Sequence, residues 1–151
     1  MRGKNLEARL VSVSDKRFCA LVRELEGECG RRFGKNARSV CQYPKEEIIT
    51  ACVMLKDGQA IACGAAYQRG EELAVLTCMY VKPEVRRQGL GRDIYETLEL
   101  QALWQGCSAV GVGLYGGMKE CSALFQKLGF AKSDPWNGGD RSLRYMIKDI
   151  E

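Results

Sequence analysis

The stretch Val81-Lys82-Pro83-Glu84-Val85-Arg86-Arg87-Gln88-Gly89-Leu90-Gly91-Arg92 holds the residue types best suited to binding a charged ligand. Gly89 and Gly91 have no Cβ atoms, so a bulky anion can reach the main chain around them. A helix that begins here offers free N–H groups and the positive end of its dipole, which together bind phosphate. Arg86, Arg87 and Arg92 are placed to add charge-assisted contacts, although surface arginines in water have the same spacing. A bare strand-to-helix turn also accounts for the glycines. Two other phosphate motifs drop out: the dinucleotide pattern G-x-G-x-x-G fails at Ile94, and G-x-x-x-x-G-K-[ST] occurs nowhere.

Other chemistries are excluded by composition. The chain has no histidine, which removes imidazole zinc sites, Ser-His-Asp hydrolysis and histidine acid/base work. Its eight cysteines include no C-x-x-C pair, and Cys41, Cys52 and Cys63 fall in different expected elements. No metal is expected. Cys52, Cys63 and Cys78 lie in apolar runs and read as small buried hydrophobes of a reducing compartment, with a redox role as the alternative. A formal charge of +4, evenly spread, gives no reason to expect nucleic acid. No run is apolar enough for a signal peptide or a membrane span, so the cytoplasm is the expected compartment. With 151 residues, 46% of them hydrophobic, the chain is expected to form one domain over residues 1–151.

Elements must position the glycine segment. Leu6 to Val13 reads as a strand, and Ser14 or Asp15 caps a helix with Phe18, Leu21, Val22 and Leu25 on its apolar face, fading near Gly30. Arg31 to Gln42, with Gly34 and Asn36, reads as a loop with at most one short helix. Ile48 to Leu55 and Ala60 to Tyr67 form a hairpin around Asp57-Gly58, and Leu73 to Val81 follows as a central strand stopped by Pro83. Leu90, Ile94, Leu98 and Ala102 mark a helix ending near Gly106. In Ala109 to Tyr115, Gly111 and Gly113 leave one face bare, inviting close approach by backbone or ligand. Met118 to Leu128 is a further amphipathic helix stopped by Gly129, Asp134 to Gly139 is turn-rich, and Ser142 to Ile150 is a last strand.

Arg86-x-x-Gly89-x-Gly91, preceded by Met79-Tyr80-Val81-Lys82-Pro83 and followed by Ala123-Leu124-Phe125-Gln126-Lys127-Leu128-Gly129-Phe130, resembles the GCN5-related N-acetyltransferase (GNAT) superfamily. The resemblance implies an α+β fold: a mixed, mostly antiparallel twisted sheet of about six to seven strands, flanked by helices and splayed after Leu73 to Val81. The co-substrate would be acetyl-CoA, its pantetheine arm in the gap beside the Ala109 strand. Met79, Tyr80 and Val81 would border that arm, and Arg86, Arg87, Gln88, Gly89, Leu90, Gly91 and Arg92 would form the pyrophosphate loop.

Three positions depart from the family pattern, one of them Met118, which stands where relatives often carry an asparagine that contacts the cofactor. Phe125 stands where many relatives carry a proton-donating tyrosine, which leaves it to pack against the cofactor. Val75 matches a position where relatives often carry a glutamate base. Tyr115, Cys121 or water is left to protonate the departing sulfur, and deprotonation of the amine through ordered water needs no single base. The resemblance implies transfer to an amine acceptor, with a small molecule favoured. A protein N-terminal or lysine acetyltransferase and a non-catalytic acyl-CoA-binding regulator stay open, as does a homodimer.

Overall fold

The computed structural model describes residues 5–34, 37, 41–136 and 142–151. Asn36 of the expected loop and Asn137-Gly138-Gly139 of the turn-rich segment lie outside the described residues.

Four strands form an antiparallel succession: β1 (Leu6–Val11), β2 (Ile48–Lys56), β3 (Gln59–Arg69) and β4 (Leu73–Val81). The β2–β3 turn places Asp57 at φ 51° and Gly58 at φ 80°, the paired positive angles that a two-residue hairpin loop requires. Helix α2 (Leu90–Trp104) carries the chain over the sheet to β5 (Ala109–Tyr115), which pairs parallel with β4. Helix α3 (Lys119–Lys127) leads to a three-residue strand β6 (Ala131–Ser133), and β7 (Leu143–Asp149) closes the order β1-β2-β3-β4-β5-β7-β6. The result is the mixed, mostly antiparallel sheet of seven strands flanked by helices. No helix among the described residues is long and apolar enough to cross a membrane.

Helix α1 (Lys16–Phe33) starts where the Asp15 carboxylate accepts from the amides of Arg17 and Phe18, at 2.9 and 3.2 Å. Its buried stripe is Phe18, Leu21, Leu25 and Cys29. The helix does not fade at Gly30 but runs one turn further, because tertiary contacts hold that turn: Phe33 stacks on Tyr115 at 4.8 Å and Arg32 donates to the Gly117 carbonyl at 3.0 Å. The stop comes at Gly34, φ 108°.

The two long helices cover opposite faces of the sheet. A Cβ on Gly64 would meet Ile94 and the Met79 sulfur at 2.6 Å, so that face belongs to α2. Tyr80, the next residue along β4 from Met79, sends its hydroxyl to Glu24 of α1 at 3.3 Å. Leu90, Ile94, Leu98 and Ala102 are buried as their spacing predicts, joined by Tyr95. The bare face of β5, however, is not open to a ligand. A Cβ on Gly111 would meet the Trp136 ring at 2.8 Å, and one on Gly113 would meet Leu143 at 2.9 Å. Those glycines make room for side chains of the same chain.

Candidate functional site

Strands β4 and β5 pair only from Leu73↔Ala109 to Leu76↔Val112. Beyond that point β5 stays with β7 as far as Tyr115↔Leu143, while β4 stays with β3 through Cys63↔Tyr80 and Ala62↔Val81. The sheet therefore parts along one edge of Thr77 to Val81. A bulge turns β4 away there: between the pairs Ala65↔Thr77 and Cys63↔Tyr80, Cys78 and Met79 together face Gly64. Cys78 takes φ 56°, a left-handed angle that costs a residue with a Cβ about 1–2 kcal/mol. Buried hydrogen bonds hold it in place. The Cys78 thiol donates to the Cys41 carbonyl at 3.4 Å, the Cys63 thiol donates to the Cys78 carbonyl at 3.3 Å, and the Thr77 hydroxyl donates to the Gln42 carbonyl at 3.1 Å. Burial pushes the Cys78 and Cys52 thiols up to about 12, so these cysteines are neutral packing groups.

A cavity of about 510 Å³ lies against this part of β4, lined by residues of α1, β4, the glycine segment, α2 and α3. At one end lie Arg87, Gly89, Leu90, Gly91 and Arg92. Gly89 caps α2 with φ 82° and no side-chain hydrogen bond, and the first helical bond joins the Asp93 amide to the Gly89 carbonyl at 3.1 Å. The amides before Asp93 thus begin a fifteen-residue helix with no side-chain hydrogen bond from its cap residue. A side chain on Gly91 would press on Leu124 of α3, its Cβ at 3.1 Å. Met79, Tyr80 and Val81 form the β4 wall, and Cys121 and Phe125, one turn apart on α3, form the wall facing it.

Not every expected residue reaches this cavity. Gln88 is exposed and Tyr115 lies under Phe33, and neither lines it. Arg86 does line it, but its guanidinium turns inward, donating to the Val81 carbonyl at 2.8 Å and to Glu28 at 2.7 Å. It braces the loop instead of pointing outward as a phosphate clamp. Phe125 packs edge-on against Phe130 at 4.9 Å and Tyr95 at 6.4 Å, which gives an aromatic at this position a structural use.

The α1 side of the cavity holds residues that the spacing of the glycine segment does not reveal. Leu25, Glu28 and Arg32 of α1 line it, more than fifty positions upstream of Gly89. Glu28 contacts Arg86 through one oxygen and Arg32 through the other, at 2.7 and 3.5 Å. The available signal was the i, i+4 spacing of Glu28 and Arg32 on one helix face. Tyr80 is pushed up to about 12, first by burial and then by Glu24 and Glu28. Cys121 reaches solvent, yet the protein packed around it, and then Glu120, raise its thiol above the ordinary value, against the pull of Arg86 and Arg32. Among the described residues no His, Cys, Asp or Glu cluster can hold a metal ion.

Residues 47–132 match the acetyltransferase (GNAT) domain family. A 69-residue stretch, 45% of the chain, is 35% identical to an amino-acid acetyltransferase of Pseudomonas fluorescens, and it spans only 16% of that protein's length. Among the solved structures that share the fold are two of nearly the same length. One, from Klebsiella pneumoniae, bears a provisional acyl-CoA N-acyltransferase name and superposes with a TM-score of 0.82 at 20% identity, covering 97% of this chain and 98% of its own. The other, the PaiA N-acetyltransferase of Thermoplasma acidophilum in complex with coenzyme A, gives 0.74 at 16% identity, covering 96% and 99%.

Proposed function

The chain belongs to the GNAT acetyltransferase family, and from that premise we propose that it transfers an acetyl group from acetyl-CoA to the primary amine of a small molecule. The observation that carries this reading is the parted sheet: the gap beside Thr77 to Val81 opens onto the uncapped start of α2. That combination fits a long thioester whose far end is a pyrophosphate. The amides of Arg87, Gly89, Leu90, Gly91 and Arg92 would face the phosphates at the positive end of the helix dipole, with Gly89 and Gly91 giving access. The edge of β4 from Met79 to Val81, beyond the last β5 pair at Leu76, offers main-chain groups to an extended amide-bearing arm, apart from the Val81 carbonyl that Arg86 holds. Coenzyme A in the Thermoplasma relative supports the cofactor, and the name of the Pseudomonas relative supports a small acceptor.

Bound acetyl-CoA supplies an activated carbonyl. The neutral amine attacks it, the new N–C bond forms, the attacking nitrogen gives up its surplus proton to water, the C–S bond breaks, and the thiolate takes up a proton. An alkylamine with a pKa of about 10.4 arrives charged and must first lose a proton, which water in the open cavity can carry away. Cys121 is the proton donor of this reading. Its thiol faces the cavity and its raised value keeps it protonated at neutral pH, whereas Tyr115 lies outside and Phe125 has no proton to give. Alignment of the two reactants along the gap contributes the larger share of the rate.

Coenzyme A release, followed by chromatography over a panel of amines, tests this function. Acceptor-dependent release is expected. Tight acetyl-CoA binding with no release from any amine would favour a non-catalytic sensor, the reading that Phe125 and the buried Val75 favour in place of the family's tyrosine and glutamate.

A further inference from the structure

The α1 end of the cavity is an ion pair, not an apolar pocket. Glu28 is mostly buried, and its Oε1 accepts a short charge-assisted bond of 2.7 Å from Arg86. Its Oε2 meets Arg32 only at 3.5 Å. Arg32 is seated but not saturated. Its guanidinium lies 4.9 Å over the Phe33 ring and donates to the Gly117 carbonyl at 3.0 Å, while 42% of its side chain stays exposed. A guanidinium has five N–H donors and a carboxylate about four acceptor sites, so both partners of the long contact keep capacity for a ligand.

We infer that this pair receives an acceptor bearing a carboxylate beside its amine, that is, an α-amino acid or a close analogue. Glu28 takes the ammonium on Oε2, and Arg32 yields its long contact to bind the carboxylate with its planar fork. A pre-formed pair of opposite charges is the electrostatic complement of a zwitterion, and separating a 3.5 Å contact costs less than breaking the 2.7 Å bond to Arg86. Arg86 holds Glu28 in place and also grips the Val81 carbonyl, which ties the acceptor end to the β4 wall. Cys121, at the same end of the cavity, lies close enough to both arginines for them to pull on its thiol. This assignment rests on the acetyltransferase reading and names its acceptor class.

The test compares each of several amino acids with the amine left when its carboxylate is removed: leucine with isoamylamine, phenylalanine with phenethylamine, and methionine with its thioether amine. The intact chain is expected to favour the carboxylate-bearing member by about tenfold or more in kcat/KM. In Arg32→Met that ratio falls toward one, chiefly through the KM of the amino acid. Arg32→Lys restores part of it, because charge returns without the fork. Glu28→Gln raises KM for both members. Equal use of the two members by the unaltered chain, or a ratio that survives Arg32→Met, overturns the assignment. A calorimetric titration of amino acids into the protein saturated with coenzyme A separates the outcomes without turnover. Heat that is lost in Arg32→Met supports the assignment, and no heat from any amino acid refutes it. No heat from coenzyme A itself refutes the acetyltransferase reading instead.

Discussion

Within β4, Leu73–Leu76 and Thr77–Val81 form one continuous strand with two different surroundings. The first four residues are bonded on both sides, to β3 and to β5, whereas the last five keep β3 alone. In the first part both edges of the strand are paired. In the second, one edge is left for a ligand, and the bulge at Cys78 and Met79 marks the change. The edge is left by β5 where pairing stops, at the cost of one left-handed cysteine that thiols and a threonine hold in position.

The largest effect is expected from a matched pair of glycine variants. Gly89 and Gly70 share positive angles, φ 82° and 72°, so either substitution carries a similar backbone strain of about 1–2 kcal/mol. Only Gly89→Glu also sets a carboxylate against the phosphates. Its coenzyme A affinity is expected to fall about a hundredfold or more by calorimetry, equivalent to at least ~2.8 kcal/mol, while Gly70→Glu, in the β3–β4 turn, retains binding.

Cys121→Ala is expected to lower kcat by about ten- to a hundredfold, toward the small end of general acid catalysis because water substitutes in part. The pH profile sharpens the point. Turnover rises with pH as the acceptor amine loses its proton, then falls once the thiol ionises. Because that thiol is raised, the fall sits further to alkaline pH than for an ordinary cysteine, and it disappears in Cys121→Ala. An unchanged alkaline limb in the variant would remove Cys121 from the role.

At the bulge, Gly64→Ala drives a methyl into Ile94 and Met79, where a Cβ would lie at 2.6 Å from each. Overpacking of this kind costs about 1–3 kcal/mol, read as a lower melting temperature, and moving Met79 weakens coenzyme A binding as well. The smallest effect belongs to a site away from the gap. Asp15→Ala removes the α1 cap and is expected to cost about 1 kcal/mol of stability in denaturant unfolding without altering coenzyme A affinity. Arg17's hydrogen bond, chiefly, holds the Asp15 carboxyl below its ordinary value. Its share of stability is therefore complete above that ordinary value and is lost as pH falls through the lowered one.

Local patterns carried the reading far where neighbouring residues determine structure. Asp57-Gly58 marks its hairpin, Leu90, Ile94, Leu98 and Ala102 mark α2, and Gly89-x-Gly91 marks the helix start. Long-range packing decided the rest. Gly30 reads as a stop, but Phe33 on Tyr115 and Arg32 on Gly117 extend α1 past it. Gly111 and Gly113 read as a face open to backbone or ligand, but Trp136, Leu143 and Tyr145 fill that space from segments further along the chain. Arg86 reads as a phosphate contact until α1 supplies Glu28 from fifty-eight residues away. No window around the glycine loop contains that partner.

The dependence on free amides at the start of α2 is tested most directly by calorimetric titration of the intact chain with coenzyme A and, separately, with pantetheine, which lacks the pyrophosphate. Coenzyme A is expected to bind and pantetheine to bind about a hundredfold more weakly or worse, since several charge-assisted contacts are lost together. Equal affinity for the two, or no heat from coenzyme A at all, would contradict a phosphate site at Gly89 and Gly91.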